Sequence, residues 1–103
     1  MVKEFSFETR DEFEKFVASK DKELSIAIVD GIAANFDSKK RHIHVVSIAI
    51  ADEDHIYDLT VDKQMFLDTL EQNLETLLEH ELYEKCVEVK ELIDKLKSKK
   101  DEK

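Results

Sequence analysis

The residues best suited to chemistry are four histidines, one cysteine and a large excess of carboxylates. His42 and His44 alternate along a β-branched stretch and so project to one side of a strand, a spacing that suits two ligands of a metal ion. His55 would sit at the far end of the same hairpin, roughly 20 to 30 Å away by strand rise, and cannot complete the site. The pair is expected to be solvated or satisfied near Asp62, with no metal. Asp52, Glu53 and Asp54 form an acidic turn that has too few ligands, and no turn-forming glycine, for a calcium loop. Cys86 follows His80 by six residues, but it lies in an apolar stripe, where burial raises a thiol's pKa and lowers its reactivity. A single glycine excludes a glycine-rich phosphate loop, and no serine stands in a nucleophile-elbow pattern. The expectation is therefore no catalytic residue, no metal and no cofactor.

The elements that position these residues belong to a chain of 103 residues, 40% of them charged, with six phenylalanines, two tyrosines and no tryptophan or proline. Such a length supplies one modest core and leaves no room for a second. The formal charge of -9 argues against direct binding of nucleic acid or an anionic membrane, since phosphate recognition needs a basic face. One cysteine permits no internal disulfide, which points to a reducing, cytoplasmic setting. The apolar stretches Leu24 to Val29 and Val45 to Ala51 are far shorter than the roughly 18 residues of a membrane span, and the first residues lack a signal peptide's apolar run.

Phe5 to Phe7 reads as a short extended piece. Thr9 and Glu12 then have the spacing of a capping box, each answering the other's free amide, and Phe13, Phe16 and Val17 follow at helical spacing. Ser19 is placed to cap a second helix from Lys20. Two readings compete for the next stretch. Leu24, Ile28, Ile32 and Phe36 at intervals of four favour a helix to about Asn35, while Leu24, Ile26 and Ile28 before Asp30-Gly31 favour a strand and turn. The helix is preferred because the periodicity continues past Gly31, whose cost of about 1 kcal/mol in a helix suggests close approach of another element.

His42 to Ala51 and Ile56 to Val61 are read as a β-hairpin closed by a four-residue loop, Asp52 to His55. Ala51 would face Ile56, Ile50 Tyr57, Ile48 Leu59 and Val46 Val61. That places Val46, Ile48, Ile50, Tyr57, Leu59 and Val61 on one apolar face. From Asp62, a candidate N-cap, Leu67, Leu70, Leu74 and Leu77 make a helical stripe widened by Phe66 and Leu78. Leu82, Cys86, Val89, Ile93 and Leu96 make a second stripe, ending near Ser98. The two fold back as a helical hairpin. Residues 1–98 are thus expected to form one α+β domain with N-terminal helices, an antiparallel β-hairpin and a C-terminal helical hairpin whose stripes partly cover the sheet. Residues 99–103 are expected to be a disordered tail. A two-stranded sheet is marginal alone, so either Phe5 to Phe7 adds a strand or the hairpin edge pairs with a second copy in a homodimer.

Leu70-Glu71-Gln72 with Leu74, then Tyr83-Glu84, then Val89-Lys90-Glu91 with Ile93, resemble without gaps the UVR motif, a helical hairpin of bacterial excision-repair subunits and of adaptors of bacterial proteolysis. The resemblance covers residues 70–93. Cys86-Val87 stands in place of the family's small alanine pair, and Lys90 replaces an arginine whose planar fork a lysine cannot supply. It implies a docking element, with Tyr83, Glu84 and Lys90 among its contact residues.

Between Gln64 and Glu84 there is no lysine or arginine. Asp68, Glu71, Glu75 and Glu79 fall within about 80° of one another on a helix, opposite the leucines. Like charges at these spacings cost a helix roughly 0.2 to 0.5 kcal/mol per pair, so the ridge is expected either to be simply solvated or to meet a basic partner. The function read from the chain is a small acidic adaptor or regulator that binds another protein through its C-terminal hairpin. Two alternatives stand beside it: an acidic inhibitor that mimics nucleic acid, and a small-ligand or metal-binding domain using the histidines.

Overall fold

A computed structural model describes residues 3–101. Its elements in chain order are β1 (Lys3–Phe7), α1 (Arg10–Ala18), α2 (Lys22–Ala34), β2 (His42–Ile50), β3 (His55–Asp62), α3 (Phe66–Glu79) and α4 (Tyr83–Asp101). The class is α+β, with both N-terminal helices present and the C-terminal helices α3 and α4 packed on each other. The helix expected to stop near Ser98 continues to Asp101; 102–103, the rest of the expected tail, lie outside the described residues. Among the described residues no helix is long and apolar enough to cross a membrane.

Capping chemistry sets the first boundaries. Thr9 Oγ1 accepts from the Glu12 amide at 3.2 Å, while the Glu12 carboxylate accepts from the Glu8 amide at 3.1 Å, so the box closes one residue earlier than the reciprocal form expected. Asp21, not Ser19, caps α2, through a 2.8 Å bond from the Glu23 amide. Ser19 terminates α1 instead, its hydroxyl donating to the Phe16 carbonyl, because Lys20 takes a left-handed conformation (φ 52°) that breaks the helix first.

The sheet has the order β1-β2-β3, with β1 parallel and β3 antiparallel to the central β2. Phe5 to Phe7 thus does add a strand, and Phe5 and Phe7 stack on Phe13 and Phe16 of α1 at ring separations of 5.2 to 5.6 Å. The hairpin register is two residues from the expected one: Ile50 faces His55, Ile48 faces Tyr57 and Val46 faces Leu59. The connection does have four residues, but they are Ala51 to Asp54. Ala51 to Glu53 coil into a tight turn whose Asp52 amide bonds the Glu8 carbonyl at 2.9 Å, and Asp54 reverses the chain at φ 48°. A shift of two preserves the faces, so the apolar set stands. Beyond a bulge at Val45, Ile43 faces Val61.

The main cover of the sheet is α2 lying on β2; α3 packs beside α2, and α4 beside α3. Gly31 is what lets α2 seat this closely, since a Cβ there would fall 2.8 Å from Val45 Cβ. The core collects Val29, Ile32, Ile43, Val46, Ile50, Phe66, Leu70, Leu77 and Val89, each at most 2% exposed. Leu78, expected within the stripe, is exposed, and Thr76 is buried in its place. Packing against both α2 and α4 turns the buried side of α3 toward Thr76 and away from Leu78. Asp62 likewise caps a short turn, Lys63 to Met65, ahead of α3 and not the helix itself.

The α3–α4 corner is a left-handed turn. The Leu82 amide bonds the Leu77 carbonyl and the Glu81 amide bonds the Leu78 carbonyl, both at 3.0 Å, with Glu81 at φ 59° where glycine is usual. A side chain in this conformation costs roughly 1 to 2 kcal/mol, partly offset by glycine's extra freedom in the unfolded chain. Glu81→Gly is therefore expected to stabilise the protein by about 0.5 to 1 kcal/mol, read as a higher urea midpoint.

Candidate functional site: the outer side of the C-terminal helices

Asp68, Glu71, Glu75 and Glu79 are all exposed on α3, on the side turned away from Phe66, Leu70 and Leu77. None of them forms an ion pair with a described residue. The carboxylates of Asp11, Asp30, Glu53, Asp58, Asp62 and Glu88 all do. On α4, Tyr83, Val87 and Lys90 recur at i, i+4 and i+7 and share one exposed stripe, with Tyr83 61% and Val87 55% exposed. Glu84 is exposed about 100° around the helix from Tyr83. The ridge and the stripe are thus two surfaces on two helices. They approach each other along the chain at the corner, where His80, Glu81 and Leu82 separate Glu79 from Tyr83. Leu78, exposed beside Glu71 and Glu75 by helical spacing, adds an apolar residue to the ridge that sequence periodicity had assigned to the core.

Two tethers hold this helical pair. Lys85, half-buried at the start of α4, bonds Asp30 of α2 and lies 2.9 Å from Glu88. Burial acts to lower its pKa, but the two carboxylates outweigh burial and hold the ammonium above its ordinary value. The stabilisation is therefore complete below about pH 10.4 and is lost only as pH rises further. At the corner, His80 Nε2 lies 3.2 Å from the Lys20 carbonyl and donates to it, joining the α3–α4 and α1–α2 turns.

The histidines do not converge. His42 Nδ1 lies 3.7 Å from Asp62, whereas His44 Nε2 lies 3.3 Å from Asp58, so each ring faces a different carboxylate. His55 packs edge-on against Tyr57 near the opposite end of the strands. Among the described residues no group of three or more His, Cys, Asp or Glu is arranged to hold a metal ion. Ser47, His44 and Asp58 make a cluster that resembles a hydrolytic triad in composition only. Ser47 Oγ (3.0 Å), Asp58 and the Val46 carbonyl (3.1 Å) all address the same nitrogen, Nε2 of His44. A relay needs the serine and the carboxylate on opposite nitrogens. Cys86 is 4% exposed, as its place in the stripe implied.

One cluster had no local signature in the sequence. Arg10, at the head of α1, clasps Glu53 with a two-pronged bond of 2.7 and 2.8 Å and donates to the Tyr57 hydroxyl at 2.6 Å; that hydroxyl in turn donates to Glu53. The guanidinium holds the Glu53 carboxyl below its usual range, helped by the tyrosine, and Glu53 raises the Tyr57 hydroxyl. Asp62 is also lowered, first by the Gln64 amide it caps and then by the charges of Arg41 and His42, against the opposing effect of burial. Depressed carboxyls contribute stability above their unfolded values, near pH 4, and lose it as pH falls through the folded ones. The urea midpoint is thus expected to drop between about pH 5 and pH 3, and Glu53→Gln is expected to flatten that drop. Arg10 is 43 residues from Glu53, so only the juxtaposition of the β1–α1 and β2–β3 turns reveals the contact.

No family model, curated protein or solved structure shows a significant match to this chain.

Proposed function

We propose that the chain is a small acidic adaptor or regulator that works in the cytoplasm by binding another protein through the outer side of α3 and α4. The observation that supports this most directly is the run of exposed carboxylates Asp68, Glu71, Glu75 and Glu79, none ion-paired with a described residue, with exposed Leu78 on the same ridge and exposed Tyr83 and Val87 on the next helix. A surface that is merely solvated gains stability when lysines are interspersed among its acids, and this one has none from Gln64 to Glu84. Charge at the periphery steers a basic partner, while a tyrosine and two aliphatic residues supply the area that anchors it. The resemblance of residues 70–93 to the UVR hairpin points to the same use, with Tyr83, Glu84 and Lys90 as contacts.

The test is capture of a partner from a lysate on immobilised protein, followed by affinity measurement with the double variant Glu71→Lys/Glu75→Lys. Both residues are exposed, so the fold should change by less than about 0.5 kcal/mol. Binding is expected to weaken roughly 5- to 10-fold at low salt, a difference that shrinks as salt is added. Unchanged affinity removes the ridge from the interface. Release of the partner by duplex DNA or RNA would instead identify the nucleic-acid mimic.

A further inference from the structure

The two edges of the sheet are built differently. The β1 edge is five residues long, begins with Lys3 and Glu4, and has α1 against it through the phenylalanine stack. β3 is eight residues long, contains no lysine, arginine or proline, and among the described residues no strand lies along its outer side. Its face is also largely open among the described residues, with only Arg10 of α1 reaching Tyr57: Ile56 is 59% exposed, Leu59 40% and Tyr57 36%, although Tyr57 and Leu59 belong to the face that buries Val46, Ile48 and Ile50 on the adjacent strand. A long edge strand that bears apolar residues and no lysine, arginine or proline is a template for strand pairing.

We propose that β3 pairs antiparallel with β3 of a second copy, joining two sheets into one of six strands. The strand selects this occupant by its own symmetry. In a two-fold antiparallel pairing, residues of the same parity must oppose each other for the core faces and the outward backbone groups of both strands to match. Centring the axis on Asp58 sets Asp58 against itself, and centring it on Thr60 sets Asp58 against Asp62; both place like charges directly opposite. Centring it on Leu59 sets Leu59 against Leu59, Tyr57 against Val61 and Asp58 against Thr60, and overlaps the strands from Ile56 to Asp62. Of the long registers, only this one sets no like charges directly opposite.

Charge also favours a like copy. In a chain of formal charge -9, the paired segment Ile56 to Asp62 carries two carboxylates, and each already faces side chains of its own chain: Asp58 faces His44, and Asp62 faces Arg41 and His42. A basic partner would find little to attract it here. Seven paired residues span about 24 Å, a single strand-to-strand contact. The dimer proposed is of micromolar strength, as befits one strand pair without a packed second layer. It leaves α3 and α4 free, and presents that surface twice.

The test is sedimentation equilibrium of the full chain from about 1 to 500 µM, a range that brackets micromolar affinity. Wild type is expected to pass from monomer to dimer. Leu59→Lys, which sets two ammonium groups against each other on the axis, is expected to raise the dissociation constant roughly 100-fold. Leu59→Cys supplies a second readout: residues directly opposite in an antiparallel pair have Cα atoms about 4.5 to 5.5 Å apart, within disulfide reach. Under mild oxidation with diamide it should cross-link as a dimer much faster than Ile56→Cys, whose equivalent is displaced along the strand. A monomer at 500 µM, a dimer unaffected by Leu59→Lys, or equal cross-linking of the two cysteine variants would each overturn the proposal.

Discussion

Phe66→Ala is expected to destabilise the protein by about 3 to 5 kcal/mol, the usual range for truncating a buried aromatic residue. Phe66 is 2% exposed, opens α3 directly after the turn capped by Asp62, and is among the largest side chains in the core. Phe66 stands where the chain passes from the sheet to the C-terminal helices, and its truncation leaves a cavity in the core. A domain of this size has roughly 5 to 15 kcal/mol in total, so the variant should sit near the edge of folding. Urea unfolding by circular dichroism provides the measurement. A loss below about 1 kcal/mol would mean that α3 is not seated as described.

Gly31 offers a sharper contest, because two physical effects predict opposite signs. Helix propensity alone says that Gly31→Ala, in the last turn of α2, should stabilise by up to about 1 kcal/mol. The added methyl would, however, lie 2.8 Å from Val45 Cβ, 2.9 Å from Val45 Cγ1 and 3.0 Å from Val45 Cα, and the last of these is backbone in the central strand. Val45 is the bulge residue, and moving its backbone shifts the adjoining Val46, which pairs with Lys3 of β1 and Leu59 of β3, so overpacking of about 1 to 3 kcal/mol wins. The net expectation is a loss of roughly 1 to 2 kcal/mol for alanine and more for valine, whose extra methyl groups meet the same strand. A stabilised Gly31→Ala in the same unfolding assay would show that α2 rides higher on the sheet than described.

The helices were legible in the sequence because their evidence is local. Leucines at intervals of three and four, Thr9 ahead of Glu12, and a periodicity that outlasts Gly31 all act within a turn or two of chain, where burial and backbone sterics repeat. The exposure of Asp68, Glu71, Glu75 and Glu79 followed from the same arithmetic, since a ridge opposite a buried stripe must face outward. Where local signals were ambiguous, details moved: the left-handed residues at the two helix corners are Lys20 and Glu81, and neither is a glycine or asparagine that would have marked them.

What the chain order alone determined is thus the class of the fold, the apolar face of the hairpin and the side of α3 turned to solvent, each a consequence of periodicity. The tertiary structure decided the two-residue register, the clasp of Arg10 on Glu53 and Tyr57, the close seating of Gly31 on Val45, the exclusion of Leu78 from the core and the bare edge of β3. All of these depend on which of several compatible surfaces finds the better partner. That choice is made by packing between segments tens of residues apart, and no local pattern carries it.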